Sequence, residues 1–155
     1  MTDQEHAKQI RQLIDSWSQV VARKDVEAIM QFYSPPLRAF DAIGPLQFQS
    51  RDAYQKHWQH CMTFCPGEFR FEVHQLEVQA DTELAFCHFL NYGGGTDSEG
   101  QLHLCWLRCT QCWQLQPDGW KIIHEHFSVP VEMESGQGQF ELEPDQASTG
   151  EPLSD

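Results

Sequence analysis

Leu102-His103-Leu104-Cys105-Trp106-Leu107-Arg108-Cys109-Thr110-Gln111-Cys112-Trp113-Gln114-Leu115-Gln116-Pro117-Asp118-Gly119-Trp120-Lys121-Ile122-Ile123-His124-Glu125-His126-Phe127-Ser128-Val129-Pro130 is the stretch that decides the fold. It reads as two long antiparallel strands around one tight turn. Pro117 presets φ for a type I turn, Asp118 suits the next position, and Gly119 takes the left-handed conformation that closes such a turn with a bulge. That geometry predicts that Gln116 pairs with Trp120. Counting outward, Cys112 faces His124, Thr110 faces His126 and Arg108 faces Ser128. With period-two alternation these residues share one face with Trp106. The opposite face carries Leu107, Cys109, Trp113, Leu115, Ile123, Phe127 and Val129. A shift of one residue would exchange Arg108 and Thr110 for Cys109 and Gln111.

Outward from this hairpin, the N-terminal part is helical. Ile10, Leu13, Ile14, Trp17, Val20 and Val21 form a stripe that predicts a helix over Asp3 to Arg23. Asp25 caps a second helix ended by Pro35-Pro36. Leu37 to Ala42 is a short strand, and Ser50 caps a third helix bearing Tyr54, His57, Trp58, Cys61 and Met62 on its apolar side. Then the period changes to two. Phe69, Phe71 and Val73 alternate, and Leu76 and Val78 resume on the other parity, which predicts a bulge near His74-Gln75. A strand from Leu84 to Tyr92 follows, and the Gly-rich segment from Gly93 to Gly100 reads as a hairpin loop. The order implies an α+β fold, with helices packed on one face of a curved antiparallel sheet.

The 155 residues allow one domain, here residues 1–131, followed by an acidic, weakly structured tail at 132–155. The tail holds seven acidic residues and no Lys or Arg, and the body keeps 16 acidic against 10 basic residues. A net charge of −13 opposes nucleic acid and anionic membrane surfaces as partners. No apolar run is long enough to span a bilayer, and the residues after Met1 lack a signal-peptide pattern, so the expected location is cytoplasmic. The six cysteines are then expected to be reduced core thiols. Cys109 and Cys112 have redox spacing, but they lie mid-strand and point to opposite faces, which removes the activation such a pair needs.

Several segments together resemble the SnoaL-like and ketosteroid-isomerase-like proteins of the nuclear-transport-factor-2-like superfamily. They are Lys24-Asp25-Val26-Glu27-Ala28, Tyr33-Ser34-Pro35, Phe40-Asp41 with Gly44-Pro45-Leu46, Asp52-Ala53-Tyr54 with Trp58, and the Trp106, Arg108, Thr110 and Asp118-to-Pro130 elements of the hairpin. The resemblance covers about residues 5 to 131. It implies a cone of bent sheet closed by three N-terminal helices, a deep pocket for a small apolar molecule inside the cone, and homodimerisation through the outer sheet face. It implies no cofactor.

Candidate chemistry follows from residue types. His124 and His126 can act as acid, base or ligand, or can be satisfied sheet residues. Asp41 can be a general base tuned by burial, or can form a salt bridge with Arg108. Arg108 can hold a carboxylate or enolate through its planar fork. Trp17, Tyr33, Tyr54, Trp58, His88, Trp106, Thr110 and Ser128 are the expected pocket residues. A metal site would need a third ligand from His88, His57 or Asp41, at spacings that match no chelating signature, and none is expected. The functional expectation is a pocket protein, with acid–base isomerase, cyclase or dehydratase chemistry on an apolar carbonyl compound as one reading. The other is a non-catalytic binding or dimerisation module in which the same polar residues form a structural network.

Overall fold

Local signals set the helices. The structure, a computed structural model that describes residues 1–144, begins with α1 (Asp3–Ala22). Thr2 and Glu5 form a reciprocal capping box at its start, the Thr2 side chain accepting from the Glu5 amide and Glu5 accepting from the Thr2 amide. Ile10, Ile14, Trp17 and Val21 make its buried stripe. A short α2 (Val26–Met30) is capped by Asp25, and α3 (Arg51–Met62) by Ser50. Among the described residues, no helix is long and apolar enough to cross a membrane.

Five strands form one sheet in the order β1-β5-β4-β3-β2. These are β1 (Tyr33–Phe40), β2 (Phe69–Ala80), β3 (Leu84–Thr96), β4 (Leu102–Gln116) and β5 (Gly119–Ser128). The last four pair antiparallel, whereas β1 joins β5 in parallel, so the sheet is mixed. Pro35 and Pro36 do not end the second helix, as their spacing suggests, but lie within β1. They offer no amide hydrogen, and the β1–β5 register shifts between Tyr33 and Arg38. The bulge expected in β2 is present, with Gln75 at φ +56° and a register shift between His74 and Glu77.

The hairpin register holds by compensation. Gln116 pairs with Gly119 rather than Trp120, because the turn is only Pro117-Asp118. A bulge at Ile123 then restores the pairs Cys112–His124, Thr110–His126 and Arg108–Ser128. Gly93, Gly94 and Gly95 also differ from expectation, since they are strand residues of β3 and not a loop. Neighbouring chain comes too close for a side chain there: a Cβ on Gly94 would lie 1.8 Å from the His103 carbonyl oxygen.

Alternation sorts the sheet into two faces. Cys87 and Phe89 of β3, Cys109, Gln111 and Trp113 of β4, and Ile122, Glu125 and Phe127 of β5 are buried together with Trp17, Tyr33 and Tyr54. The helices cover this inner face. His88, Arg108, Thr110 and His126 lie on the outer face and are exposed. Beyond Ser128, Val131 bridges to Gly138, and Glu143 and Pro144 reach the outer face beside Tyr92 and Trp106. Residues 145–155 of the expected tail lie outside the described residues.

Gly94→Ala should lower the unfolding free energy in urea by more than about 2 kcal/mol, through backbone displacement. Gly100→Ala, with a positive φ but open space around the new methyl, should cost only about 1 kcal/mol. Equal losses would contradict the close approach at Gly94.

Candidate functional site

One ionisable group sits at the centre of the cone. Glu125, on the inward parity of β5, is completely buried. Tyr33, at the start of β1, donates from its hydroxyl and lies 2.9 Å from both carboxylate oxygens. Tyr54 of α3 donates to Oε2 at 2.6 Å, and Gln111 of β4 donates through Nε2 to Oε1 at 2.7 Å. A second layer fixes these donors. The Trp17 indole donates to the Tyr33 oxygen at 3.2 Å, and the Trp113 indole donates to Gln111 Oε1 at 3.2 Å.

The electrostatics follow from burial. Loss of water pushes the Glu125 carboxyl up to about 7, although its three hydrogen-bond donors pull it down. Burial, reinforced by the neighbouring Glu125 charge, raises both phenols well above their ordinary value. Tyr33 and Tyr54 therefore stay protonated as donors, while Glu125 can gain or lose a proton near neutrality. Trp58, packed edge-on against Tyr54 with ring centroids 6.0 Å apart, has a buried indole N–H with no hydrogen-bond partner. A buried donor without an acceptor is costly, and an acceptor arriving in the cone would relieve it.

A second acid–base pair lies at the rim. Asp41, just past β1, is 2.6 Å from His57 Nε2 through its Oδ2. This carboxylate contact is the main reason that the His57 imidazole rises to about 9. His57 also stacks on Tyr54, with ring centroids 6.1 Å apart and planes 12° from parallel. Tyr54 therefore touches both acid–base groups. Gly44, at φ +87°, brings the β1–α3 loop against the ring, where a Cβ would lie 3.1 Å from His57 Cε1.

Of the residues expected from sequence, Trp17, Tyr33, Tyr54 and Trp58 line the interior, and Asp41 stands at its rim. The others go elsewhere. Arg108, His124, His126, His88, Trp106, Thr110 and Ser128 occupy the outer face, because the helices cover the apolar face of the hairpin and turn its partner face outward. Arg108 donates to Ser128 Oγ at 3.0 Å and does not pair with Asp41. His124 Nδ1 lies 2.6 Å from the Arg38 carbonyl oxygen, and Phe40 packs edge-on against both His124 and His126. Nor is the cone an open vessel: Trp17, Tyr33, Tyr54, Gln111, Trp113 and Glu125 fill it. Two hollows of about 410 and 510 Å³ lie outside it, one between α1 and β2 and the other between the outer face and Glu143-Pro144.

Sequence reading missed Glu125 and Gln111 as members of the site, and named His57 only on the apolar side of the third helix and as a conceivable metal ligand. A signal for the first two existed. By the same alternation that sorted the hairpin, Gln111 and Glu125 are cross-strand partners on the otherwise apolar face.

A helix-covered cone of bent sheet, with titratable groups gathered inside it, is the architecture of the nuclear-transport-factor-2-like, or cystatin-like, proteins. Residues 10–132 match the model of the SnoaL-like domain, and the chain belongs to that family. An NTF2-like protein of unknown function from Pseudomonas putida KT2440 is 40% identical, with 93% of this chain and 100% of that one covered at a TM-score of 0.84. More distant likenesses show the fold alone. A candidate dehydratase of the NTF2-like family from Streptomyces avermitilis is 15% identical, covering 84% of this chain and 100% of that one at a TM-score of 0.73. The association domain of C. elegans calcium/calmodulin-dependent protein kinase II is 12% identical, covering 82% and 98% at a TM-score of 0.64. No curated protein matches the chain.

The two raised groups predict a downward slope of stability with pH. Glu125 titrates near 7 when folded and near 4.5 otherwise, so its stabilising protonation is complete below 4.5 and lost as pH rises through 7. His57, at about 9 against 6.5, contributes stability that is complete below 6.5 and lost as pH rises through 9. Urea unfolding across pH should show Glu125→Gln flattening the lower span, worth on the order of 3 kcal/mol, and Asp41→Asn flattening the upper one. Slopes unchanged in both variants would count against these assignments.

Proposed function

We propose that this protein takes a small, largely apolar carbonyl compound into the cone and moves a proton on it, with Glu125 as the acid–base group. One observation carries the reading: a fully buried carboxyl, poised near neutrality, is ringed by two phenols and an amide. Gathering ionisable groups where apolar side chains would pack more cheaply is a mark of chemistry rather than of stability. Ionised Glu125 would take a proton from the carbon next to the ligand carbonyl. Tyr54 or Tyr33 would turn its hydroxyl to the oxygen as negative charge develops there. Returning that proton to a different carbon completes an isomerisation and leaves Glu125 ionised. Asp41 and His57 form the second proton-handling pair, coupled to the first through Tyr54.

The ligand would enter past Phe48 and the β1–α3 loop. That loop is held to β1 by the paired amides and carbonyls of Ala39 and Phe48, and its tip exposes Ile43 and 92% of Leu46. The arriving carbonyl compound would replace core contacts as the loop lifts. The free N–H of Trp58 offers it a further donor. Six unpaired thiols suit a reducing, cytoplasmic setting.

The outer face favours a second role, homodimerisation. Leu84 and Phe86 are 50% and 46% exposed at one end of β3, and the aromatic pair Tyr92 and Trp106 lies further along the same face, past His88 and Arg108. In this role Arg108, Thr110, His124, His126 and Ser128 belong to a surface that meets a second copy. An apolar patch of this kind commonly marks an association site.

A thermal-shift panel of cyclic ketones and enones tests the first role, together with deuterium exchange of their α-hydrogens followed by NMR. At least one compound should raise the melting temperature and exchange its α-hydrogens, and Glu125→Gln should abolish exchange. A panel with no stabiliser and no exchange would leave only the module. For the second role, light scattering should report a dimer that Phe86→Glu converts to monomer. A wild-type monomer would refute it.

A further inference from the structure

The rim of the cone holds a nucleophile that the proton chemistry at Glu125 does not use. Cys61, in the last turn of α3, places its sulfur 3.6 Å from His57 Nε2 and 3.8 Å from Nδ1. The sulfur is therefore almost equidistant from the two ring nitrogens, against the imidazole as a whole rather than at the end of one N–H bond. Asp41 grips the same imidazole at 2.6 Å. Cys61 is half-buried and so within reach of a small reagent. We propose that Cys61 is a reactive thiol, held ready by the Asp41–His57 pair, and that it takes soft electrophiles of the α,β-unsaturated carbonyl class at the mouth of the cone.

The physical reason is charge. Asp41 and the sulfur itself hold a proton on His57 up to about pH 9, so at neutral pH the thiol faces an imidazolium. A full positive charge 3.6 Å from the sulfur is placed to stabilise the negative charge that develops as sulfur bonds to carbon. The C-terminal end of a helix opposes an anion, but it offers only partial charge, and a second cation is bound by the chain that follows it. The Lys24 ammonium donates to the Cys65 carbonyl at 2.8 Å and the Gly67 carbonyl at 2.6 Å. Of the other ionisable groups near this end, Asp41 is committed to His57, Asp97 bears on Cys65, and His60 lies in the same last turn, packed edge-on against Phe64. The remaining five thiols are unfavourably placed. Burial pushes Cys65, Cys87, Cys105, Cys109 and Cys112 up, and the Glu125 charge adds to this at Cys87 and Cys109.

In the addition step, the Cys61 thiol proton passes to solvent and the sulfur bonds to the β-carbon of the electrophile. The carbon–carbon π pair moves toward the carbonyl as an enolate, and the α-carbon takes a proton from water. The net change is addition of S–H across the double bond, with no oxidant or reductant required. This assignment is independent of the role proposed for Glu125.

The test is limited labelling of the folded full chain with N-ethylmaleimide, itself an unsaturated carbonyl, followed by peptide mass spectrometry. Cys61 should label first, about tenfold faster than Cys65, Cys105 or Cys112, while all six thiols should label alike in denaturant. Asp41→Asn and His57→Gln, each checked for folding by circular dichroism, should slow Cys61 and leave the other thiols unchanged. Cys61 labelling no faster than the other half-buried thiols would overturn the proposal, as would an unchanged Cys61 rate in a folded variant. Should neither variant fold, the rate order in the folded wild-type protein against its denatured state decides.

Discussion

Burial of the Glu125 carboxyl is the constraint on which the interior depends. Stripped of water, a carboxylate must be surrounded by donors or neutralised, and here both remedies operate. Its donors come from β1, α3 and β4, while Trp17 brings in α1 through Tyr33. Every layer of the cone therefore contributes to satisfying one group on β5. The phenol of Tyr33 is 92 residues away along the chain and that of Tyr54 is 71. Such a network also orients the helices, because a helix displaced by an ångström or two would leave a buried charge without a partner. Hydrophobic burial alone tolerates that much sliding; a directed hydrogen bond does not.

The division of the sheet into two chemistries follows from alternation on a sheet with only one face covered. Inward positions pack small thiols and aromatic rings around the polar cluster, and outward positions of β3, β4 and β5 place His88, Arg108, His124 and His126 in solvent. None of those outward positions on β3, β4 or β5 is acidic, although the chain as a whole carries a net charge of −13. The acidic segment after Val131 reaches this same face, with Glu143 beside Trp106.

Much of this was legible in the sequence, and the parts that were not share a physical cause. Helix starts could be read because Thr2, Asp25 and Ser50 act on amides a few residues away. The β2 bulge could be read because a slip of hydrophobic parity has one local meaning. The hairpin register was correct for an incomplete reason: a turn one residue tighter than expected is offset by a bulge at Ile123, which turn chemistry cannot foresee. The choice of face was not local at all. Polarity suggested that the arginine and histidines would line a pocket, but what decides is which face the helices need to cover, and the apolar Leu107, Cys109, Trp113, Ile122 and Phe127 outweigh a conspicuous polar set. Gln111 and Glu125 were hidden in the same way, as two polar residues on the face whose apolar members defined it. The glycines of β3 read as a loop because their role is steric room for β4 and β2, which composition does not reveal.

Tyr54 makes the two acid–base centres more than neighbours. Its hydroxyl holds Glu125 at 2.6 Å and its ring runs parallel to that of His57 with centroids 6.1 Å apart, so a change of charge at either end acts on the same side chain. Glu125 and Asp41 repel one another, which helps to keep the Glu125 proton in place. Partial neutralisation of Asp41 by the cationic His57 weakens that repulsion. An adduct on Cys61 would add bulk beside His57, at the rim past which the proposed ligand would enter and where the imidazole is fixed. Occupation of the thiol would thus bear on access to the cone and, through His57 and Asp41, on the ease with which Glu125 gives up its proton.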